Sequence, residues 1–399
     1  MNTSGARWMV AAVLVCGGLA AAAQQKPNTP NPFPGGTNPD GSLRPTPPVT
    51  RLFTQDAYTE YALLDPDSQA FRIRFLPEET RAGATEIVNA TRGGSAGSDI
   101  EVFDPRSGQP IKFTYEQSPQ NPDDHAIRAP LPIPVPEGGI GRVLILKTYK
   151  DPRTYMKNGE DIVWVRSLAG YRLGVLLPKG FAFISSNVAA QLSTAADGRL
   201  KLAFANPSGQ SNPVTIHARK TTAAFAGAGG DAPDMFFDDV KTLYDLGAPD
   251  TGRIRVEQTY TDYRKGDAAK LDSLSYLALA DLAVTDLDTA KKLTVSGKAD
   301  KSAAKLEVPI VSETQSAHLR ITGTLGDKSY RLDPKDAGML VFDRSLRGLR
   351  NTVLLPEGWD VAAVSQSATI GTYQGRQFVA LINLNAENQY RVVIRARKR

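Results

Sequence analysis

Alternation of apolar and polar residues dominates the chain and predicts short β-strands. Residues 70–75 alternate in this way, and so do residues 111–115, 200–204 and 392–396. A period of two places one set of side chains on a buried face and the other toward solvent. Turn sequences rich in Gly, Pro and Asp, such as residues 104–108, separate these segments. The pattern favours an all-β protein built from antiparallel sandwiches with little helix.

Two segments depart from this strand pattern. Residues 236–246 place apolar side chains near helical spacing, and Asp234 before them is a suitable N-cap. The matching residues 53–64 have a similar pattern. We therefore expect a short helix in each segment.

The second half of the chain repeats the first. Residues 166–181 return as residues 344–359, an offset of 178 residues, and both copies contain Leu-Leu-Pro-x-Gly followed by an aromatic residue. The similarity continues downstream, where residues 214–220 match residues 392–398. A duplication of this length predicts two copies of one fold, the first repeat and the second repeat.

Repeat length and composition together predict the domain organisation. Each repeat is too long for one sandwich of about 100 residues, so we divide each into two. The predicted segments are a signal peptide at 1–23, a Pro/Gly-rich disordered tether at 24–50, sandwiches at 51–137 and 138–220, a Gly/Ala linker at 221–233, and the corresponding sandwiches at 234–314 and 315–399. The predicted fold is a tandem duplication of paired antiparallel, Ig-like β-sandwich modules.

The N-terminus has the features of a secretory signal. Arg7 precedes a short apolar run that ends in small residues, so we expect cleavage near Ala23 and export to the periplasm or the extracellular space. The chain has one cysteine, Cys16, within this signal. Val15 stands where a lipid-attachment site needs a small residue, so we do not expect a lipid anchor. The mature chain then has no thiol for a disulfide or a thiolate metal site, and no later segment is long enough to form a transmembrane span.

Charge and histidine content limit the remaining functional classes. The chain has 47 basic and 42 acidic residues in mixed order, which argues against a nucleic-acid partner. His125, His217 and His318 do not have the spacing of zinc ligands, and we expect His125 in a polar loop and His217 on a solvated strand face. Residues 93–97 match the G-x-S-x-G pattern of serine hydrolases, but a strand rather than a helix is predicted to follow. We therefore expect Ser95 in a loop without a catalytic role.

Acidic pairs are the next candidates for chemistry. They are Asp65 with Asp67, Asp123 with Asp124, Asp238 with Asp239, and Asp286 with Asp288. None has the full spacing of a calcium loop, so calcium stays open only as an ion that orders the modules, and no other cofactor is expected. The same carboxylates could supply a catalytic pair for glycoside cleavage.

Four arginines recur at matching positions of the two repeats. Arg166 corresponds to Arg344, and Arg199 corresponds to Arg376. Arginine side chains often form structural salt bridges or hydrogen bonds in turns, and that role is favoured here. Repeated contact with an anionic ligand is the alternative, so these four residues are candidate binding residues.

Trp359 completes the set of candidate binding residues. It follows the Pro-x-Gly turn of the second repeat, and Phe181 has the same place in the first. We expect both aromatic rings to begin a strand and pack in the core, while an exposed ring could stack on a sugar.

These observations predict an exported, non-enzymatic protein of the bacterial cell envelope that acts as a binding or structural module. Its partner would be an envelope protein or a polysaccharide. The alternative is a hydrolase, or an ancillary subunit, that acts on polysaccharide or peptide through acidic loop residues. Convergence of carboxylates in one cleft would favour the alternative.

Overall fold

The protein is built almost entirely of β-strands, in agreement with the alternating sequence pattern. A computed structural model describes residues 58–91, 97–117, 124–168, 172–195, 197–205, 212–222, 240–262, 266–270, 278–297, 303–326, 328–383 and 389–399. Within these ranges, the helical structure is one 3₁₀ turn, Pro66–Ser68. The predicted signal peptide, the tether, most of the linker and Ser95 lie outside the described residues.

The first repeat forms a large sheet and smaller ones. Its strands are β1 (Tyr58–Leu63), β2 (Ala70–Leu76), β3 (Glu78–Glu79), β4 (Glu86–Ala90), β5 (Gly97–Phe103), β6 (Thr114–Gln117), β7 (His125–Pro130), β8 (Gly141–Arg142), β9 (Leu144–Lys150), β10 (Tyr155–Asn158), β11 (Asp161–Leu168), β12 (Arg172–Leu176), β13 (Phe181–Ser186), β14 (Gln191–Thr194), β15 (Leu200–Ala205) and β16 (Asn212–Lys220). The large sheet has the order β14-β15-β12-β1-β2-β9-β5. The smaller sheets are β10-β11-β16-β13, β4-β7-β6 and the pair β3-β8.

The second repeat also has a large, a four-stranded and a three-stranded sheet, and its described residues form no counterpart of the pair β3-β8. Its strands are β17 (Val240–Leu246), β18 (Arg253–Asp262), β19 (Gly266–Lys270), β20 (Ala280–Asp286), β21 (Lys291–Leu293), β22 (Val295–Ser296), β23 (Ala303–Ile310), β24 (Ala317–Gly326), β25 (Tyr330–Asp333), β26 (Asp336–Leu346), β27 (Arg350–Leu354), β28 (Trp359–Val364), β29 (Thr369–Tyr373), β30 (Arg376–Ile382) and β31 (Tyr390–Lys398). The large sheet has the order β21-β20-β24-β18-β17-β27-β30-β29. The smaller sheets are β25-β26-β31-β28 and β19-β23-β22.

The strands of the two large sheets have corresponding order. When the second sheet is read from its other end, β29-β30-β27-β17-β18-β24-β20 corresponds to β14-β15-β12-β1-β2-β9-β5, and β21 is an additional edge strand. Pro178 and Pro356 occupy the same topological position, because each follows the strand that pairs with the first strand of its repeat. A bulge also recurs, between Phe183 and Ser185 in β13 and between Val361 and Ala363 in β28. Matching register can therefore be used to compare individual positions of the two repeats.

The prediction of purely antiparallel sheets is wrong at one pairing in each repeat. Strand β1 pairs with β12 in parallel, and β17 pairs with β27 in parallel. Parallel neighbours need a long crossover connection, and in the described residues of these connections there are further strands and no α-helix. A parallel pair of strands therefore does not require that strands alternate with helices in the sequence.

Two smaller sheets cover the same face of each large sheet. Ile145 and Tyr149 of β9 lie four residues apart and so point to the same side. Tyr149 packs in the apolar cluster that contains Trp164 of the four-stranded sheet, whereas Ile145 packs in the cluster that contains Ile127 of the three-stranded sheet. Phe75 contacts both clusters. The second repeat has the corresponding two cores.

This arrangement changes the predicted division within each repeat. The large sheet of the first repeat combines strands from both sides of the boundary predicted at residue 137, and that of the second repeat spans the boundary predicted at residue 314. The four-stranded sheets come from the second parts alone, and the three-stranded sheets from the first parts alone. The two predicted parts of each repeat therefore share a sheet, in which β1 pairs with β12 and β17 pairs with β27.

The helix predictions are also wrong where the structure describes these segments. Residues 240–246 form strand β17, and residues 58–63 form strand β1, while the earlier residues of both segments are not described. In β17, Thr242, Tyr244 and Leu246 are buried in alternation with less buried residues. The same apolar residues are compatible with helical spacing in so short a segment, and pairing with two neighbours determines the strand.

Two central strands, β12 and β15, are buried on both faces, whereas alternation at residues 200–204 predicted one solvated face for β15. All residues of β12 are buried, and in β15 Lys201 is buried as well. On this outer face Tyr58 packs with Leu349 of the second repeat. Lys201 donates a hydrogen bond from Nζ to Oε2 of Glu60 at 2.8 Å. The second repeat thus covers a face that sequence alternation assigns to solvent.

Candidate functional site

The first pair of predicted arginines is placed inside the protein. Arg166 is buried, and its guanidinium lies 5.0 Å from the ring centre of Phe71 and 3.7 Å from a carboxylate oxygen of Asp151. Arg344, half-buried, donates to Oγ of Ser329 at 3.3 Å. Neither position presents a guanidinium on an open surface. Burial between aromatic rings and a carboxylate is the structural role that the sequence favoured for Arg166.

Trp359 and Phe181 both occupy core positions. Each begins a strand, each is only 7% exposed, and each packs in the main apolar cluster of its repeat. The preceding glycines, Gly180 and Gly358, have φ values of 79° and 77°. Only glycine adopts this left-handed conformation without strain, which explains the repeated Pro-x-Gly-aromatic sequence as a turn that returns the chain to the core.

The three histidines have different surroundings. His217 is exposed on the outer face of β16, as predicted. His125 is in strand β7 instead of the predicted loop, because it pairs with Gln117 and stacks on Tyr115 at 5.0 Å. His318 is buried, and its Nε2 lies 3.7 Å from a carboxylate oxygen of Glu78.

The acidic pairs are divided among different parts of the protein. Asp65 is the N-cap of the 3₁₀ turn and Asp67 lies within it, whereas Asp286 ends β20 and Asp288 follows two residues later. Asp123, Asp238 and Asp239 lie outside the described residues. In the described ranges, no group of three or more His, Cys, Asp or Glu side chains is arranged to hold a metal ion.

An open cleft of about 670 Å³ lies at one end of the first repeat. It is formed by turns from both sheets, namely residues 63–67, 157–160, 178–181 and 197–199, together with Lys220 at the end of β16. The repeated Pro-x-Gly-aromatic turn is thus one of its walls. Loops at the end of a β-sandwich are common binding sites because the sheets hold them without using them for core packing.

The cleft combines an apolar floor with a charged rim. Leu63 and Phe181 are buried beneath it, while Leu64 is 37% exposed at its edge. The rim carries both charge signs, and its residues are Asp65, Asp67, Lys157, Glu160, Lys179, Asp197, Arg199 and Lys220. Arg199, Asp65 and Asp67 were candidate residues from the sequence, which did not predict that they lie in one cleft.

Comparison of Arg199 with Arg376 explains why this cleft is open. Arg376 donates from Nε to the carbonyl oxygen of Leu355 at 2.7 Å and from Nη2 to Oδ1 of Asp245 at 2.5 Å. It therefore crosses the end of the second repeat. Matching register places Ala62 where the second repeat has Asp245. Arg199 instead donates to Oδ2 of Asp197, two residues away, at 2.6 Å.

A buried ion pair joins the two repeats. Arg142 donates from Nε to Oδ1 of Asp288 at 2.7 Å and from Nη2 to Oδ2 at 2.5 Å. Its Nη1 donates to Oγ of Ser316 at 2.9 Å. Burial raises the pKa of Asp288, although Arg142 opposes the shift. The sequence draws attention to Asp288 through its acidic neighbour Asp286, but the partner of Asp288 is Arg142, 146 residues away.

A buried lysine lies between the two cores of the first repeat. Lys147 donates from Nζ to Oδ1 of Asn89 at 2.5 Å, and Nζ lies 5.0 Å from the ring centre of Tyr149. Burial lowers the pKa of Lys147 to about 7, and the charge of Arg166 adds to the shift. The sequence does indicate that this lysine is buried, because Lys147 lies between Ile145 and Tyr149 at two-residue spacing, on the same buried face of β9.

Comparison with known proteins does not identify a relative: no family model matches the chain, and no similar curated protein was found. No helix in the described part of the chain has the length and apolar character needed to span a membrane. The candidate site must therefore be interpreted from its own geometry.

Proposed function

We propose that the protein is an exported, non-enzymatic module of the bacterial cell envelope that binds a partner through the cleft of the first repeat. The observation that carries the proposal is the contrast between the ends of the two repeats, since Arg376 crosses one end and Arg199 leaves the other open. The export signal predicted at residues 1–23 supports the location. The second repeat then has a structural role, and the buried pair of Arg142 and Asp288 holds it against the first.

The proposed origin of this arrangement is a tandem duplication of a pair of Ig-like β-sandwich modules. Corresponding strand orders, the shared bulge and the shared position of Pro178 and Pro356 support it. After duplication, one copy kept or gained the arginine bridge and the other did not. Divergence of this kind allows one copy to bind while the other supports it.

A hydrolase is the second candidate, because four carboxylates line the same cleft. Two of them are neutralised by neighbours, since Asp67 accepts from Lys157 at 2.5 Å and Asp197 accepts from Arg199. Although burial acts in the opposite direction, the hydrogen bonds from Arg199 lower the pKa of Asp197. A general acid needs a raised pKa, so this environment favours binding over acid catalysis.

Site-specific photo-crosslinking tests the proposed function. A photoreactive residue at Leu64, in the cleft, should form a discrete adduct with an envelope component, whereas one at Ile370 of the second repeat should not. The variant Ala62→Asp copies Asp245 and should draw Arg199 across the cleft, which abolishes the adduct. Equal labelling from both positions, or an adduct that survives Ala62→Asp, would contradict the proposal. Release of reducing sugar or peptide by the purified protein, lost in Asp65→Asn, would favour the hydrolase.

A further inference from the structure

Two lysines of the cleft have no carboxylate partner among the described residues. Lys179 lies in the turn between β12 and β13, and Lys220 ends β16. Their backbones are adjacent, because Phe181 pairs with Lys220 and the Thr221 amide donates to the carbonyl oxygen of Gly180 at 2.8 Å. Two exposed ammonium groups on neighbouring strand ends attract an anion.

Three of the four acidic residues of the rim have hydrogen-bond partners. Besides the pairs of Asp67 and Asp197, the carboxylate of Asp65 accepts the backbone amide of Asp67 at 2.9 Å. The backbone carbonyl of Glu160 accepts the Lys220 amide at 2.8 Å, but no salt bridge joins Glu160 to Lys179 or Lys220 among the described residues. The positive charge of Lys179 and Lys220 is thus left for a ligand.

The apolar floor and the charged rim of the cleft indicate which kind of molecule could bring an anionic group to Lys179 and Lys220. Leu64, 37% exposed, offers an apolar surface near the two lysines, and the buried Leu63 and Phe181 lie beneath it. A carboxylate has about four acceptor sites, so the paired carboxylates of the rim can still accept hydrogen bonds from amide N–H groups, which an alkyl chain does not have. The cleft volume of about 670 Å³ fits a segment of a few residues.

We propose that this cleft binds the C-terminal end of a peptide, with the terminal carboxylate between Lys179 and Lys220 and an apolar last side chain on the floor. The inference rests on the proposed function of the cleft and names its ligand class. Capture of a terminal carboxylate by a cationic recess is a known mode of peptide recognition. The two lysines complement the charge of the terminal carboxylate, and the apolar floor accommodates the last side chain.

The second repeat provides the matched comparison. Glu357 stands at the position of Lys179, and Lys398 stands at the position of Lys220. With Arg376 across the end and an acidic residue in the turn, the second repeat should not bind the same peptide. Lys398→Gln is therefore a control that removes an equivalent charge outside the cleft.

Isothermal titration of the full chain with acetyl-Gly-Ala-Ala-Leu tests the proposal. The peptide with a free C-terminus should bind saturably, and its C-terminal amide should bind at least about tenfold more weakly, since the charged hydrogen bonds are lost. Lys179→Glu and Lys220→Gln should each weaken binding by a similar factor, and Lys398→Gln should leave it unchanged. Circular dichroism spectra should show that all three variants are folded.

Other outcomes would overturn the assignment. Equal affinity for the acid and the amide would remove the role of the carboxylate, and equal affinity for octanoate would replace the peptide by any apolar acid. Absence of saturable peptide binding would also reject the inference. The proposed function would survive that result if the adduct at Leu64 still disappeared in Ala62→Asp, so the two failures can be distinguished.

Discussion

The guanidinium of Arg142 and the carboxylate of Asp288 form a bidentate pair across the boundary between the repeats, with N–O distances of 2.7 and 2.5 Å. The side chain of Arg142 is almost completely removed from solvent. Backbone hydrogen bonds reinforce the contact, because the Ile140 amide donates to Leu287 and the Ser316 amide donates to Pro105. The two repeats are therefore joined in part by a polar contact, in which the guanidinium of Arg142 is shielded from water.

Asp288→Ala should destabilise the protein by about 3–5 kcal/mol, because it leaves the buried guanidinium without its carboxylate. Urea unfolding followed by tryptophan fluorescence measures this change. The double variant Arg142→Met/Asp288→Leu removes both charges and should stay within about 1 kcal/mol of the wild type. A double variant as unstable as Asp288→Ala would contradict this account of the interface.

Phe181 and Trp359 should contribute similar stability to their repeats. Each Ala substitution opens a cavity at a core position and should cost about 3–5 kcal/mol. Denaturant midpoints of the two variants test this expectation. Leu192→Ala, at an exposed strand position, should change stability by less than about 0.5 kcal/mol. A midpoint unchanged by Trp359→Ala would mean that the ring is not part of the core.

Two tyrosines form equivalent hydrogen bonds to the chain just after β1 and just after β17, the first strand of each repeat. The hydroxyl of Tyr155 donates to the carbonyl oxygen of Leu64 at 2.9 Å, and that of Tyr330 donates to the carbonyl oxygen of Gly247 at 2.6 Å. Tyr155→Phe and Tyr330→Phe should each cost about 1 kcal/mol in urea unfolding. Tyr373→Phe is the control. Unequal effects of the first two would show that the repeats do not use this bond equivalently.

Local patterns predicted the strands, but contacts distant in sequence decided the rest. Alternation at residues 392–396 identified β31, and the Pro-x-Gly-aromatic sequence correctly placed Trp359 in the core. Residues 240–246 suited both helix and strand, and only pairing with β18 and β27 selects the strand. Apolar alternation also cannot show that another repeat covers the outer face of β12.

The cleft could not be predicted for a similar reason. Whether an arginine closes the end of a repeat depends on the contact between Arg376 and Asp245, which are 131 residues apart. The sequence places Ala62 at the equivalent position, but this difference has meaning only once the register of the strands is known. Equivalent arginines thus have different roles because one distant partner is missing.

The buried amine of Lys147 makes stability depend on pH in a defined direction. Burial and the charge of Arg166 lower its pKa from the ordinary value of 10.5 to about 7 in the folded protein. The unfolded chain therefore binds this proton more tightly than the folded protein does. This contribution to stability is fully present above about pH 10.5, is lost as the pH falls toward about 7, and does not change further below that value.

Lys147→Met should remove this dependence, because a methionine side chain of similar length fills the site without a charge. Urea midpoints measured from pH 6 to 9 should rise for the wild type above pH 7 and change less for the variant. At pH 6 the variant should be more stable by about 1–4 kcal/mol, since no proton is held in a buried site. Lys150→Met on the exposed end of β9 should follow the wild-type profile. If the urea midpoints of Lys147→Met and the wild type changed in parallel with pH, Lys147 would not titrate in this range. Any pH dependence of stability would then come from other groups.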